Sequence, residues 1–220
     1  MNKHTPSAES LSDWVAPART AVIVIDIQVD FASAEGVLGK AGVDMSITEP
    51  AVAAASQLVE DAREAGVPVI FVGLQTDAAT DSPVWGEWRR RKNGVDEGGG
   101  ICRSGTPGAD FFGPKPEPGE TVVPKLRYSG FFGTSLDAIL RARQIDTLVV
   151  CGLTTECCVD CTVRDAFHLD YFVYVPTDAC AAYDEQIHIG ALNSLELNCA
   201  TLVTTADLRS AWATQEESNQ

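Results

Sequence analysis

Six short apolar runs, rich in β-branched residues, recur along the chain: AVIVI (21–25), VPVIFVG (67–73), TVV (121–123), TLVVCG (147–152), YFVYVP (171–176) and ATLVT (200–204). None shows the polar alternation of a half-exposed strand, so each reads as a strand buried on both faces. Helical spacing fills the gaps. Residues 48–65 carry Val52, Leu58, Val59 and Ala62 on one stripe, with Gly66 as a stop. Residues 134–143 begin with Thr134 as a candidate N-cap, and 156–169 and 184–197 complete the set. This alternation predicts an α/β fold, a doubly wound, mostly parallel six-stranded sheet with helices on both faces. Ligands in such folds bind beyond the carboxyl ends of the strands, which directs attention to Asp26, the segment after Gly73, Lys125 and the residues after Gly152.

Residues 74–120 stand apart. They contain GVDEGGG and FFGPKPEPG and no long periodic segment, as expected of a lid, a binding loop or an interface arm. The resulting organisation is an N-terminal extension (1–18), one domain over 19–213 with its long loop at 74–120, and a disordered tail (214–220). No run approaches the roughly 18–20 apolar residues of a membrane span, and the first eighteen residues lack the apolar stretch of a secretory signal. The expectation is a soluble, cytoplasmic protein with no membrane partner.

The formal net charge of −15 repels phosphate backbones and argues against a nucleic-acid partner. WGEWRRRKNG (85–94) runs against that trend with a cluster of cations. Its plain reading is a solvated or subunit-facing patch.

Candidate chemistry gathers in CGLTTECCVDC (151–161), which holds four of the seven cysteines. Structural zinc requires a second cysteine pair or histidines at comparable spacing. Only Cys158 and Cys161 form C-x-x-C, and His4, His168 and His188 are scattered, so no metal is expected. The same C-x-x-C also suits a thiol-redox pair, although it follows the fourth strand rather than an early one. A third reading is a single nucleophile. A thiol on the first turn of a helix faces unpaired N–H groups, which stabilise a thiolate and can hold an oxyanion. No histidine lies near a strand end, which leaves Asp26 and Lys125 as partners. Singly, the first reads as a cap and the second as a solvated charge. Jointly, they could shuttle the proton and depress the thiol pKa.

Three segments carry a family resemblance: VIDIQVDF, VPKLRYSGFFGTSLDAILRARQIDTLVVCG and GLTTECCVDCTVRDA. With these, the chain resembles the isochorismatase-like cysteine hydrolases from about Thr20 to Trp212, a family that includes nicotinamidases, N-carbamoylsarcosine amidohydrolases and ureidoacrylate amidohydrolases. The resemblance implies a Rossmann-like fold and an Asp26–Lys125–Cys158 triad. It also implies an oxyanion hole at the N–H groups of Thr154 and Cys158, and a cis peptide between Leu153 and Thr154. It selects Cys158 over its neighbour because the family's nucleophile precedes a valine, here Val159. Cys157 is then expected at the pocket and Cys161 packed one turn on.

Nicotinamidases of the family bind a metal through histidines after the second strand, and VGLQTDAATDSP has none. The branch most resembled therefore acts on small ureido, carbamoyl or carboxamide compounds without a metal or other cofactor, releasing ammonia. Substrate-binding candidates are Gln28, Phe31, Trp85, Arg89, Arg127, Tyr128, Phe131, Thr155 and Cys157. Arg90, Arg91 and Trp88 lie in the same cluster. The resemblance further implies a homodimer or homotetramer. The readings that compete with it are a thiol-redox protein using Cys158 and Cys161, a family hydrolase of another small metabolite, and a binding protein without turnover.

Overall fold

The computed structural model describes residues 10–93 and 100–218. Seven parallel strands form one sheet: β1 (Thr20–Ile25), β2 (Val69–Leu74), β3 (Thr121–Lys125), β4 (Thr147–Leu153), β5 (Phe172–Pro176), β6 (Cys180–Ala181) and β7 (Thr201–Val203). Their order is β3-β2-β1-β4-β5-β7, with the two-residue β6 paired beside the end of β4. Every position of β1, β2 and β4 is buried, which requires cover on both faces and explains the unbroken apolar runs. The six runs read from the sequence all become strands. The seventh, β6, is too short to show a pattern.

The helices are α1 (Leu11–Trp14), α2 (Val29–Ala32), α3 (Val37–Lys40), α4 (Glu49–Glu64), α5 (Pro83–Asn93), α6 (Leu136–Ala142), α7 (Asp160–His168), α8 (Glu185–Asn198) and α9 (Thr205–Ser218). One group packs α1, α4 and α9 together, and another pairs α7 with α8. In α4, Val52, Leu58, Val59 and Ala62 are buried as their spacing requires, and Gly66 takes the left-handed backbone (φ 72°) that ends it. No helix among the described residues is long and apolar enough to cross a membrane.

Four expectations shift. The 74–120 segment is not without periodic structure, since α5 lies inside it. Its return limb is tied down where Thr76 bonds Ile101 and Cys102, and where the buried Asp30 carboxylate accepts from the N–H groups of Val37 (3.0 Å) and Cys102 (2.7 Å). The stretch 94–99, most of GVDEGGG, lies outside the described residues. Secondly, α6 starts after Ser135, while Thr134 accepts from the Leu136 N–H and donates to the Gly130 carbonyl. The turn after β3 draws Thr134 back toward Gly130, so the cap sits one residue early. Thirdly, the expected disordered tail is helical as far as Ser218, because α9 docks on α4 and α1; residues 219–220 lie outside the described set. Lastly, the extension joins the domain from Ser10 onward. Trp212 Nε1 donates to the Val15 carbonyl (2.9 Å), and Trp14 packs on Phe172 with ring centroids 4.5 Å apart. Residues 1–9 lie outside the described set.

The chain runs outward from β1 to β3, then returns to the far side of β1 as β4. Adjacent strands leaving in opposite directions open a crevice at their carboxyl ends. Gly152 lines that switch point in register with Ile25. Its φ is 127°, and a Cβ there would fall 2.0 Å from the Ile25 carbonyl oxygen. Gly152→Ala is therefore expected to destabilise the fold by about 3 kcal/mol, from backbone strain plus overpacking, read as a lowered midpoint in urea denaturation.

Candidate active site

Three strand ends supply the chemistry. Asp26 follows β1, Lys125 closes β3, and Cys158 lies in a π-helical turn (Thr155–Val159) between β4 and α7. Lys125 Nζ lies 2.7 Å from Asp26 Oδ2 and 3.4 Å from Cys158 Sγ, and donates to the Arg127 carbonyl at 3.0 Å. Asp26 and Lys125 are essentially inaccessible, and Cys158 is 7% exposed. The peptide between Leu153 and Thr154 is cis.

Asp26 adopts a left-handed backbone (φ 49°), a conformation that Asp tolerates better than most residues but that still needs support. Its N–H donates to Val72 (2.9 Å), its carbonyl accepts from Gln28 (2.8 Å), and its Oδ1 accepts from the Leu74 N–H (2.9 Å). The twist thus turns the carboxylate off the strand line and pins one oxygen to β2. Oδ2 meets the lysine as an ion pair but has no aligned hydrogen-bond donor. That leaves it a lone pair for a transferable proton.

Burial lowers the Lys125 pKa, but Asp26 and Cys158 outweigh it, and the net direction is upward. The lysine stays charged. Cys158 moves the other way from the sequence expectation. Its hydrogen bond with Cys157, burial and the Asp26 charge together hold the thiol well above its ordinary range, against the smaller opposing pull of Lys125. Lys125 does favour the thiolate, but its pull is outweighed and the resting sulfur keeps its proton.

These groups open on a cavity of about 890 Å³. Lys125, Thr154 and Cys158 line it, as do six of the substrate-binding candidates: Phe31, Trp85, Arg89, Arg127, Tyr128 and Cys157. Trp85 and Tyr128 meet edge to face with centroids 6.0 Å apart, and the Arg89 guanidinium sits 5.5 Å from the Trp85 ring centroid. Arg90 and Arg91 are both engaged by Glu87.

Three candidates lie elsewhere. Gln28 is fully buried and braces the fold. Its Oε1 accepts from the Leu74 N–H, while Nε2 donates to the carbonyls of Leu74 and Ala109, so its polar atoms are committed. Phe131 packs in the core beside Tyr171, and the neighbouring Phe132 lines the cavity instead. Thr155 is buried and shares a 2.8 Å hydrogen bond with His188 Nδ1. That contact also corrects the expectation that no histidine lies near a strand end, since α8 carries His188 back to the turn after β4. Burial lowers the His188 pKa, so the ring is neutral at neutral pH. Cys161 is half-buried, and all seven cysteines are free thiols.

Sequence reasoning missed Tyr183, which lines the cavity and donates to the Phe31 carbonyl (2.6 Å). Its only signal was β6, two residues long. It also missed Thr162, whose hydroxyl donates to the Cys158 carbonyl (2.6 Å) and accepts from the Gly130 N–H (2.9 Å). This ties the nucleophile's turn to the loop that follows β3.

The sequence model of the isochorismatase domain matches residues 20–207. Ureidoacrylate amidohydrolase RutB of Azorhizobium caulinodans is 40% identical over 210 residues, 90% of this chain and 92% of that protein. Among solved structures, a cysteine hydrolase from Pseudomonas syringae pv. phaseolicola 1448A superposes with a TM-score of 0.79 at 30% identity, covering 94% of this chain and 99% of that one. N-carbamoylsarcosine amidase from Thermoplasma acidophilum gives 0.69 at 29% identity, covering 85% and 96%.

The direction of the Cys158 shift fixes a pH experiment. Removing the Asp26 charge removes a cause that raises the thiol and frees Lys125 to pair with sulfur. Asp26→Asn is therefore expected to speed iodoacetamide alkylation of Cys158 at mildly alkaline pH, and Lys125→Gln to slow it. Each pKa unit is worth about tenfold in thiolate population. Peptide-resolved mass spectrometry against pH reads both. Shifts of the same sign in the two variants would contradict the assignment.

Proposed function

The chain belongs to the isochorismatase family of hydrolases, and we propose that within it the chain is a cysteine amidohydrolase that cleaves a C–N bond of a ureido, carbamoyl or carboxamide compound. The observation that carries this reading is the Lys125 ammonium, in contact with the Asp26 carboxylate at 2.7 Å and the Cys158 sulfur at 3.4 Å where the cavity meets the sheet. The likeness to ureidoacrylate amidohydrolase and to N-carbamoylsarcosine amidase supports the same bond type.

The proposed cycle uses these three groups in turn. The Cys158 thiol gives its proton to Asp26 Oδ2 as the thiolate attacks the carbonyl carbon. The N–H groups of Thr154 and Cys158 receive the oxyanion. Collapse of the tetrahedral intermediate breaks the C–N bond, and Asp26 returns the proton to the departing nitrogen, which leaves as ammonia. Water, deprotonated by Asp26, then attacks the thioester or thiocarbamate and frees Cys158. With a ureido substrate the product is a carbamate, which loses carbon dioxide in solution. Every proton in the cycle is carried by side chains of the triad.

An anionic substrate needs a cation, since an unpaired buried carboxylate is strongly unfavourable. Arg127 and Arg89 fill that role. Both line the cavity, and among the described residues neither is paired with a carboxylate, whereas Arg90 and Arg91 are engaged by Glu87. Arginine's fork suits a carboxylate in two parallel hydrogen bonds.

The test is ammonia release, without added metal, from ureido acids, N-carbamoyl amino acids and simple carboxamides. Cys158→Ala is expected to lower kcat by at least about a thousandfold, in line with loss of a covalent nucleophile. Comparable release from Cys158→Ala, or loss on Cys161→Ala alone, would overturn the mechanism.

A further inference from the structure

The triad uses only one end of the cavity. A volume of about 890 Å³ sits in the upper part of the range, about 300–1,000 Å³, of sites that enclose drug-sized ligands. A short hydrophilic acid with one ureido group would leave most of it to water. The remaining wall is apolar and comes from separate parts of the chain: Val37 and Leu38 on α3, Val84 and Trp88 on α5, Ile101 on the return limb, and Phe132 after β3. No step of the reaction involves any of them.

Their exposure is uneven across the molecule. Among the described residues, thirteen large apolar side chains are solvent-exposed, and five of these line this one cavity, including Val84 at 78% and Phe132 at 67%. Single exposed apolar residues are ordinary, whereas a group that walls one concave site marks a place where apolar surface is meant to be covered. The cations that would hold a carboxylate, Arg89 and Arg127, share this wall, and Arg89 stacks on Trp85.

We infer that the preferred substrate joins its scissile carbamoyl or carboxamide group to a sizeable apolar body, an aryl or branched-alkyl substituent, which lies against Trp88 and Phe132. The inference rests on the amidohydrolase reading for its chemistry but on the cavity wall for its specificity. A ligand of this class presents the carbonyl to Cys158, an acidic group to an arginine and the apolar body to the outer wall. Specificity then comes from side chains distant from the reacting atoms.

The matched pair N-carbamoylglycine and N-carbamoylphenylalanine isolates the apolar body, because the two share the ureido and carboxylate groups. Burying an aromatic side chain is expected to raise kcat/KM for the second over the first by roughly 10- to 100-fold. Trp88→Ser and Phe132→Ser, each at an exposed position that folding does not depend on, should bring that ratio down toward one. A ratio near or below one in the unaltered protein, or a ratio that neither substitution moves, overturns the inference. Calorimetric binding of the same pair to Cys158→Ala separates the two readings. Tighter binding of the aryl compound, reduced by Phe132→Ser, sustains the apolar subsite even if neither compound is turned over. Equal or absent binding of the aryl compound sinks the subsite, even if N-carbamoylglycine is hydrolysed.

Discussion

A carboxylate after β1 and an ammonium at the end of β3, buried together across the carboxyl end of the intervening β2, impose the constraint on which the site depends. Removing both from water costs several kcal/mol each, and attraction alone does not offset it without further hydrogen bonds. Those bonds come from the backbone of the neighbouring segments, the Leu74 N–H to Asp26 and the Arg127 carbonyl to Lys125. The pair therefore stands only where the strand ends are held in register, Ile25 beside Val72 and Leu74 beside Lys125. The arrangement also bears on reactivity. In the proposed cycle, transfer of the Cys158 proton to Asp26 would pass negative charge from oxygen to sulfur, with Lys125 in contact with both. The total buried charge does not change, and a step that would be prohibitive for an isolated thiol becomes a short relocation of charge.

The inverted thiol shift comes first from the hydrogen bond with Cys157 and from burial, and the same charge logic adds to them. A lysine beside a cysteine, taken as a pair, predicts a low thiol pKa. With a carboxylate in the same buried volume, the lysine's charge is already compensated, and a second anion would be uncompensated. In the proposed cycle the thiol would stay a neutral acid until the oxygen of a bound substrate could receive the charge. Cys157, half-buried at the cavity wall, is lowered by its hydrogen bond with Cys158.

What could be read from the sequence follows from how locally each feature is encoded. Strands buried on both faces leave continuous apolar runs, as in β1, β2 and β4. β3 and β7, expected to be buried likewise, are partly exposed edge strands but were still visible as short β-branched runs. With the strands came the positions of Asp26, Lys125 and Cys158 at or after their carboxyl ends. Gln28 was misplaced because adjacency to Asp26 does not reveal that its amide completes the hydrogen bonding of Leu74, 46 residues away. Phe131 and Phe132 are indistinguishable in sequence, and the turn after β3 decides which one enters the core. His188 reaches Thr155 only through the packing of α8 on the turn after β4. α5 escaped notice because its polar, Arg-rich composition gives no apolar stripe.

The chain's net charge of −15 limits how the cavity can attract a ligand. An approaching anion gains no long-range help from such a surface, and beyond about 8–10 Å even favourable fields are screened at ordinary salt. Within the site, Lys125 is compensated by Asp26, and among the described residues the other cations lining the cavity are Arg89 and Arg127; a single ion pair to a partly exposed arginine contributes at most about 1 kcal/mol. Charge recognition alone is then too weak to select a substrate. The larger contribution has to come from surface removed from water, and the cavity presents that surface in the walls given by α3, α5 and Phe132. The electrostatics of the whole chain and the lining of the cavity therefore support the same proposed division of labour, in which polar groups would fix the orientation of the reacting carbonyl and apolar contacts would supply the affinity.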